Sequence, residues 1–246
     1  MASYTQIDPR PAVITRRVAN ILGMPEPTEP PSIDGASRIH LPLINDRERG
    51  EVVRVLNQME KQLPEVGVTV TPFVASEWVN RCPPGRETFF LAEMVTETLL
   101  DSEVDALRPE SIVEFVMLGA TPLIIETMAL QIAFGQKIAE RESKRMARGM
   151  PSPLFEGDEQ RRPSVHRCAH AMVVLRRVAA FYPGKLGAGV LCVIAWLAWA
   201  RGRRALAVAY LDEARRLDPE YVLARRLSGL VTTKLPEWLP TEIESC

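Results

Sequence analysis

The chain holds three histidines, and two of them stand close together in His166-Arg167-Cys168-Ala169-His170. On a helix, His166 and His170 share one face at the spacing that metal-binding helices use, while Cys168 points away from it. A complete site needs a third ligand, and the one remaining histidine is His40. No Glu follows His166, so the zinc-protease helix signature is absent. The plainer reading is two polar surface side chains at a helix start. His166 and His170 stay as weak metal candidates, and no metal or cofactor is expected.

Other chemistry is thinner. Glu126 lies in an apolar run, where it is either a buried acid with a raised pKa or a solvent-facing one; helical period alone does not choose. Arg141, Lys144, Arg145 and Arg148 form a basic cluster, and Arg161, Arg162 and Arg167 form a second. Together they could hold a phosphate or an acidic partner. Glu140, Glu142, Glu156, Asp158 and Glu159 lie between them and weaken the field, so a solvated helix end is the simpler meaning. Gly187-Ala188-Gly189 has neither the preceding strand nor the lysine of a phosphate-binding loop. Ser228-Gly229 falls in a helix and makes no nucleophile elbow. No catalytic residue is assigned.

The elements that would position these groups are mostly helices. A short helix is expected before residue 22, and 24–35 holds four prolines, as an extended arm does. Residues 37–44 alternate well enough for a strand, with Pro42 pushing it to a sheet edge. Asp46 is placed to cap a helix buried through Val52, Val55, Leu56, Met59 and Leu63. Residues 66–75, VGVTVTPFVA, alternate as a second strand, so the order suggests a small βαβ-like unit. Helices follow. One is marked by Phe89, Phe90, Met94, Val95 and Leu99. Another opens at Pro109, and a long one opens at Thr121-Pro122 with Ile125, Met128, Ala129, Ile132 and Ile138 inward. Residues 150–163 carry three prolines, a glycine and mixed charge, and read as a linker. Ser164 then caps a helix carrying Ala169, Met172 and Val178.

Three more helices fit 186–231. The first has no charge between Lys185 and Arg201. Gly202 supplies a turn, and the second helix sets Ala207, Tyr210, Leu211, Ala214 and Leu217 on one face. Asp218-Pro219 separates it from a third built on Leu223, Leu227, Leu230 and Val231. The expected fold class is mainly α: the small N-terminal βαβ-like unit, a helical bundle, and a C-terminal helical hairpin. The expected divisions are 1–35, 36–148, the linker 149–163, and 164–246.

Composition bounds the function. The chain has 246 residues, 46% hydrophobic and 25% charged, as a globular protein has. Thirty basic residues against thirty-one acidic ones leave a net charge of -1, which argues against generic nucleic-acid binding. The apolar run 186–200 falls short of the ~20 residues a spanning helix needs, and 115–135 contains Glu126, Pro122 and Gln131. No membrane span is expected. No secretory signal is read at the start, and the four separated cysteines read as reduced thiols in a cytoplasm.

Two resemblances add to this. Leu191, Ile194, Ala195, Ala198, Ala207, Leu211 and Pro219 fall at the spacings of a tetratricopeptide repeat, with Ala207 and Pro219 the literal matches. More specifically, Trp196-Leu197-Ala198-Trp199, Gly202, Leu211, Ala214, Asp218-Pro219, Tyr221 and Leu223-Ala224, closed by Pro236 and Trp238, resemble the ending of an uncharacterised family of actinobacteria and their phages. That likeness covers roughly 164–240 and implies an origin rather than an activity. The resulting expectation is a non-enzymatic helical module that binds a protein partner. Its candidate contacts are Arg203, Arg204, Tyr210 and Arg215. The competing expectation is an enzyme or small-ligand binder with a site between the N-terminal unit and the helices, using Glu126, His40 or the His166 pair.

Overall fold

The structure, a computed structural model, describes residues 39–62, 86–182 and 184–239. These residues form α1 Asp46–Gln62, α2 Arg86–Asp101, α3 Pro109–Leu118, α4 Pro122–Phe134 and α5 Gln136–Met146. They continue as α6 Pro153–Glu156, α7 Val165–Phe181, α8 Gly187–Ala200, α9 Arg204–Leu217 and α10 Val222–Thr233. A single 3₁₀ turn, Val104–Ala106, joins α2 to α3.

Local chemistry explains most helix starts. Asn45, rather than Asp46, opens α1: its Oδ1 accepts from the Glu48 amide at 2.8 Å, and Glu48 reaches back to the Asn45 amide at 3.4 Å. That reciprocal pair satisfies two backbone donors the helix would leave open. Proline occupies the first turn of α3, α4 and α6, where its missing N–H costs nothing. Ser152 and Ser164 accept from Phe155 and Arg167 amides at the heads of α6 and α7.

The long helix expected from 121 onward is two. Gly135 takes φ +87 and divides α4 from α5. The apolar spacing runs on through Ile138, so the break is invisible in the pattern; only a residue without Cβ adopts that backbone cheaply.

Helix α8 sits at the centre, with all fourteen of its residues buried. It touches α3, α4, α7, α9 and α10, and therefore has no face left open. The turn to α9 is a Schellman motif around Gly202, φ +78. Arg203 N–H bonds to Ala198 carbonyl at 2.9 Å and Gly202 N–H to Trp199 carbonyl at 2.8 Å. Ala207 and Ala214, both buried, let α9 lie close. Among the described residues no single helix is long and apolar enough to cross a membrane.

Two expectations change. No strand forms among the described residues beyond a bridge residue at Ile39, so the βαβ-like unit is not supported. Ile39, Leu41 and Ile44 pack on the core while Leu43 is 68% exposed, so Pro42 breaks the alternation a strand needs. The second expected strand, 66–75, lies outside the described residues. The interval 149–163 is also not a free linker. Leu154 and Phe155 are fully buried and belong to the same core as α4 and α8. In α2, Phe90 and Met94 face solvent, and Ala92, Val95, Leu99 and Leu100 make the buried side.

Candidate functional site

Glu126 is the buried acid of the two readings the sequence left open. It projects from α4, which has no polar face, and is 6% exposed. Arg226 of α10 meets it at 2.9 Å and lies 3.7 Å from Glu156 of α6. The same guanidinium sits 5.3 Å from the centre of the Phe155 ring. Burial pushes the Glu126 carboxyl above its ordinary range, and the Arg226 hydrogen bond pulls it back only in part. Chemically this is a three-helix tie: one cation holds two carboxylates and stacks on an aromatic ring.

The histidines are placed apart from it. His166 is exposed at the start of α7, while His170 Nε2 lies 2.8 Å from the Leu100 carbonyl. Arg167 between them turns to Glu97 of α2 at 2.8 and 3.3 Å and to the Ile132 carbonyl at 3.2 Å. Gln131, fully buried, donates to Glu97 at 2.8 Å and to the Glu93 carbonyl at 3.0 Å. No group of three potential ligands forms among the described residues. His40, ahead of α1, lies against the later part of α7, where Arg176 donates to its carbonyl at 2.6 Å. Arg177 beside it pairs with Glu48 at 2.7 Å.

The four residues expected to touch a partner on the hairpin divide. Tyr210 is fully buried, because α9 packs against both α8 and α10. Arg204 donates to the Val231 and Thr232 carbonyls at 2.7 and 3.0 Å, so it closes the last turn of α10 rather than facing a partner. Arg203 is half-buried. Arg215 is exposed, 3.9 Å from Asp212.

The basic cluster on α5 lines a groove of about 560 Å³. Lys137, Arg141 and Lys144 recur at helical spacing on α5, and Arg148 follows in the turn just past its end. Lys144 pairs with Glu140 at 2.7 Å. Arg141 pairs with Glu142 at 2.7 Å, and the buried Glu142 also accepts from Ser152 at 2.8 Å. The Lys137 ammonium and the Arg148 guanidinium make no hydrogen bond or ion pair among the described residues, while the Arg148 amide bonds to the Arg145 carbonyl at 3.1 Å. Met150 and Glu159 also line it, carried by the loop that Arg145 ties down through the Pro151 carbonyl at 2.8 Å.

The C-terminal ending closes over this loop. Trp196 stacks on Phe155 at 5.2 Å, and its Nε1 donates to the Phe155 carbonyl at 2.9 Å. Trp199 Nε1 donates to Lys234 carbonyl at 3.1 Å, and Trp238 Nε1 to Ala200 carbonyl at 2.8 Å. The Glu237 amide bonds to the Gly157 carbonyl at 2.9 Å. Residues 161–237 match the family model of a domain of unknown function (DUF4192). The DUF4192 match covers just under a third of the chain and nearly the whole of the stretch whose ending the sequence likened to an uncharacterised family. No curated protein and no solved structure matches the chain. Structurally, the DUF4192 stretch runs from just before α7 to Glu237, one residue short of Trp238, and its core continues into α4 and α6 outside the match.

Proposed function

We propose that the chain is a non-enzymatic helical interaction module that binds a protein partner, an accessory protein of actinobacteria or their phages working in the cytoplasm. The observation that carries the reading is the α5 groove: it is open, walled by charged side chains and one methionine, and sized for side chains of another polypeptide. The likeness of the hairpin to a tetratricopeptide unit supports the same reading, since such packing units serve as binding scaffolds.

The competing reading wants Glu126, His40 and the His166 pair in one pocket. Arg226 occupies Glu126 and also reaches Glu156. His166 and Arg176, which holds His40, stand ten residues apart on α7, a rise of about 15 Å. That dispersal disfavours a shared catalytic centre.

The test is affinity capture with the full-length chain as bait, followed by direct binding of the purified partner. A saturable complex between the two purified proteins supports the reading. Failure to form any such complex, together with a thermal shift by a small metabolite that Glu126→Gln abolishes, would replace it with the ligand-binding reading.

A further inference from the structure

We infer that the α5 groove is the docking site, and that its occupant is an acidic segment of the partner polypeptide in extended form. The inference rests on the interaction reading above and names the surface and the chemistry of what binds it.

Lys137, Arg141 and Lys144 run over two turns of α5, about 10 Å, and Arg148 lies in the turn just past its end. A segment of a few extended residues covers that length. Two of the four cations, Arg141 and Lys144, are held by the groove's own Glu142 and Glu140. The other two, Lys137 and Arg148 at the two ends, are exposed and their side-chain charges have no partner among the described residues. Carboxylates near the two ends of a short segment therefore meet the unpaired cations.

The groove's own acids select the class of ligand. Glu140, Glu142 and Glu159 all line it. A nucleic-acid backbone offers a phosphate at each unit and no donors, so it meets these carboxylates with repulsion. No aromatic side chain lines the groove on which a base could stack. A peptide brings carboxylates for Lys137 and Arg148 and backbone N–H donors for Glu140 and Glu159, while the buried Glu142 is already held by Arg141 and Ser152. The anchoring is rigid on both sides. Ser152, buried, donates to Glu142 and caps α6, so the loop wall is bound to α5. The sequence pointed to Arg141, Lys144, Arg145 and Arg148 as a cluster but not to Lys137; Met150 and Glu159 come from a loop it took for a linker.

The test is selection from a random ten-residue peptide display library on the full-length chain at physiological salt, with fluorescence anisotropy on the enriched peptide. The expected result is enrichment of Asp and Glu, at least tenfold weaker binding to Lys137→Glu/Arg148→Glu, and unchanged binding to Arg203→Glu/Arg215→Glu. Lys137, Arg148 and Arg215 are exposed and Arg203 is half-buried, and equal melting temperatures establish that both variants fold. Enrichment without acidic residues, no enrichment, or undiminished binding to the Lys137→Glu/Arg148→Glu variant overturns the assignment. So does groove-dependent binding of a ten-nucleotide single strand with no peptide binding. A captured partner that binds the groove variant as tightly as wild type sinks this site and leaves the interaction reading standing. Absence of any partner complex sinks that reading itself.

Discussion

The phenol of Tyr221 donates to the carbonyl of Gly119 at 2.7 Å, across 102 residues of sequence and inside the core. Burial holds Tyr221 in its neutral, donating form. The same carbonyl presses on α8: a Cβ placed on Gly189 would stand 2.2 Å from Gly119 O. The stretch matched by DUF4192 is thus keyed to the α3–α4 corner, which lies outside it. Tyr221→Phe leaves a buried carbonyl unsatisfied and should cost about 1–3 kcal/mol. Gly189→Ala must push α8 from that corner, a cost at the upper end of the ~1–3 kcal/mol of overpacking or beyond it. Denaturant unfolding of both variants checks the order, and an unchanged midpoint for Gly189→Ala would mean the helices do not approach this closely.

Arg204 is a structural residue. Its two hydrogen bonds close the carbonyl end of α10. Arg204→Glu should destabilise by about 1–2 kcal/mol, losing both bonds and placing a negative charge at a helix C-terminus. Arg215→Glu, on the exposed side of α9, should stay within ~0.5 kcal/mol of wild type. Thermal melts of the pair separate the two positions.

The loop 149–163 should resist proteases. Leu154 and Phe155 are buried, and the Phe155 carbonyl is held by Trp196. Opening it exposes that apolar surface, so cutting here should require sub-global unfolding. Limited proteolysis under native conditions should leave 149–163 intact. Early release of a C-terminal fragment from this interval would mean the loop is not docked.

Glu126 gives a pH signature. Its carboxyl is raised from an ordinary 4.5 by burial. A group that binds its proton more tightly when folded stabilises the fold most when protonated. Its contribution is therefore full below the unfolded value and falls as pH rises through the folded one. Unfolding free energies of wild type and Glu126→Gln, measured from pH 4 to pH 7, should show the wild-type advantage shrinking as pH rises. A difference that grows with pH would mean the ion pair with Arg226 dominates over burial.

The sequence showed the helices best where punctuation and period agreed. Pro109, Pro122 and Ser164 mark real helix starts, and Gly202 marks the hairpin turn, because each residue type solves a backbone problem at that point. It failed where tertiary contacts decide. Gly135 breaks a helix whose apolar period continues past it. Glu126 sits in α4, which is buried all round, so period carries no direction there. Arg204 and Tyr210 were read from the amphipathic pattern of α9, but α10 covers that side of the helix. Arg141, Lys144, Arg145 and Arg148 were legible as a cluster, and Lys137, one turn earlier, was not. Their groove was not, because its loop residues Met150 and Glu159 are held near α5 through Ser152 reaching Glu142, a contact between a loop and a helix that no local pattern encodes.

The most direct test of the central claim is the mass of the complex. The full-length chain mixed with its captured, purified partner should elute together, and light scattering should give a defined stoichiometry. The same mixture made with Lys137→Glu/Arg148→Glu should separate into its components at an unchanged melting temperature. Two proteins that remain separate at every concentration, with wild-type chain fully folded, would contradict the account of this protein as an interaction module.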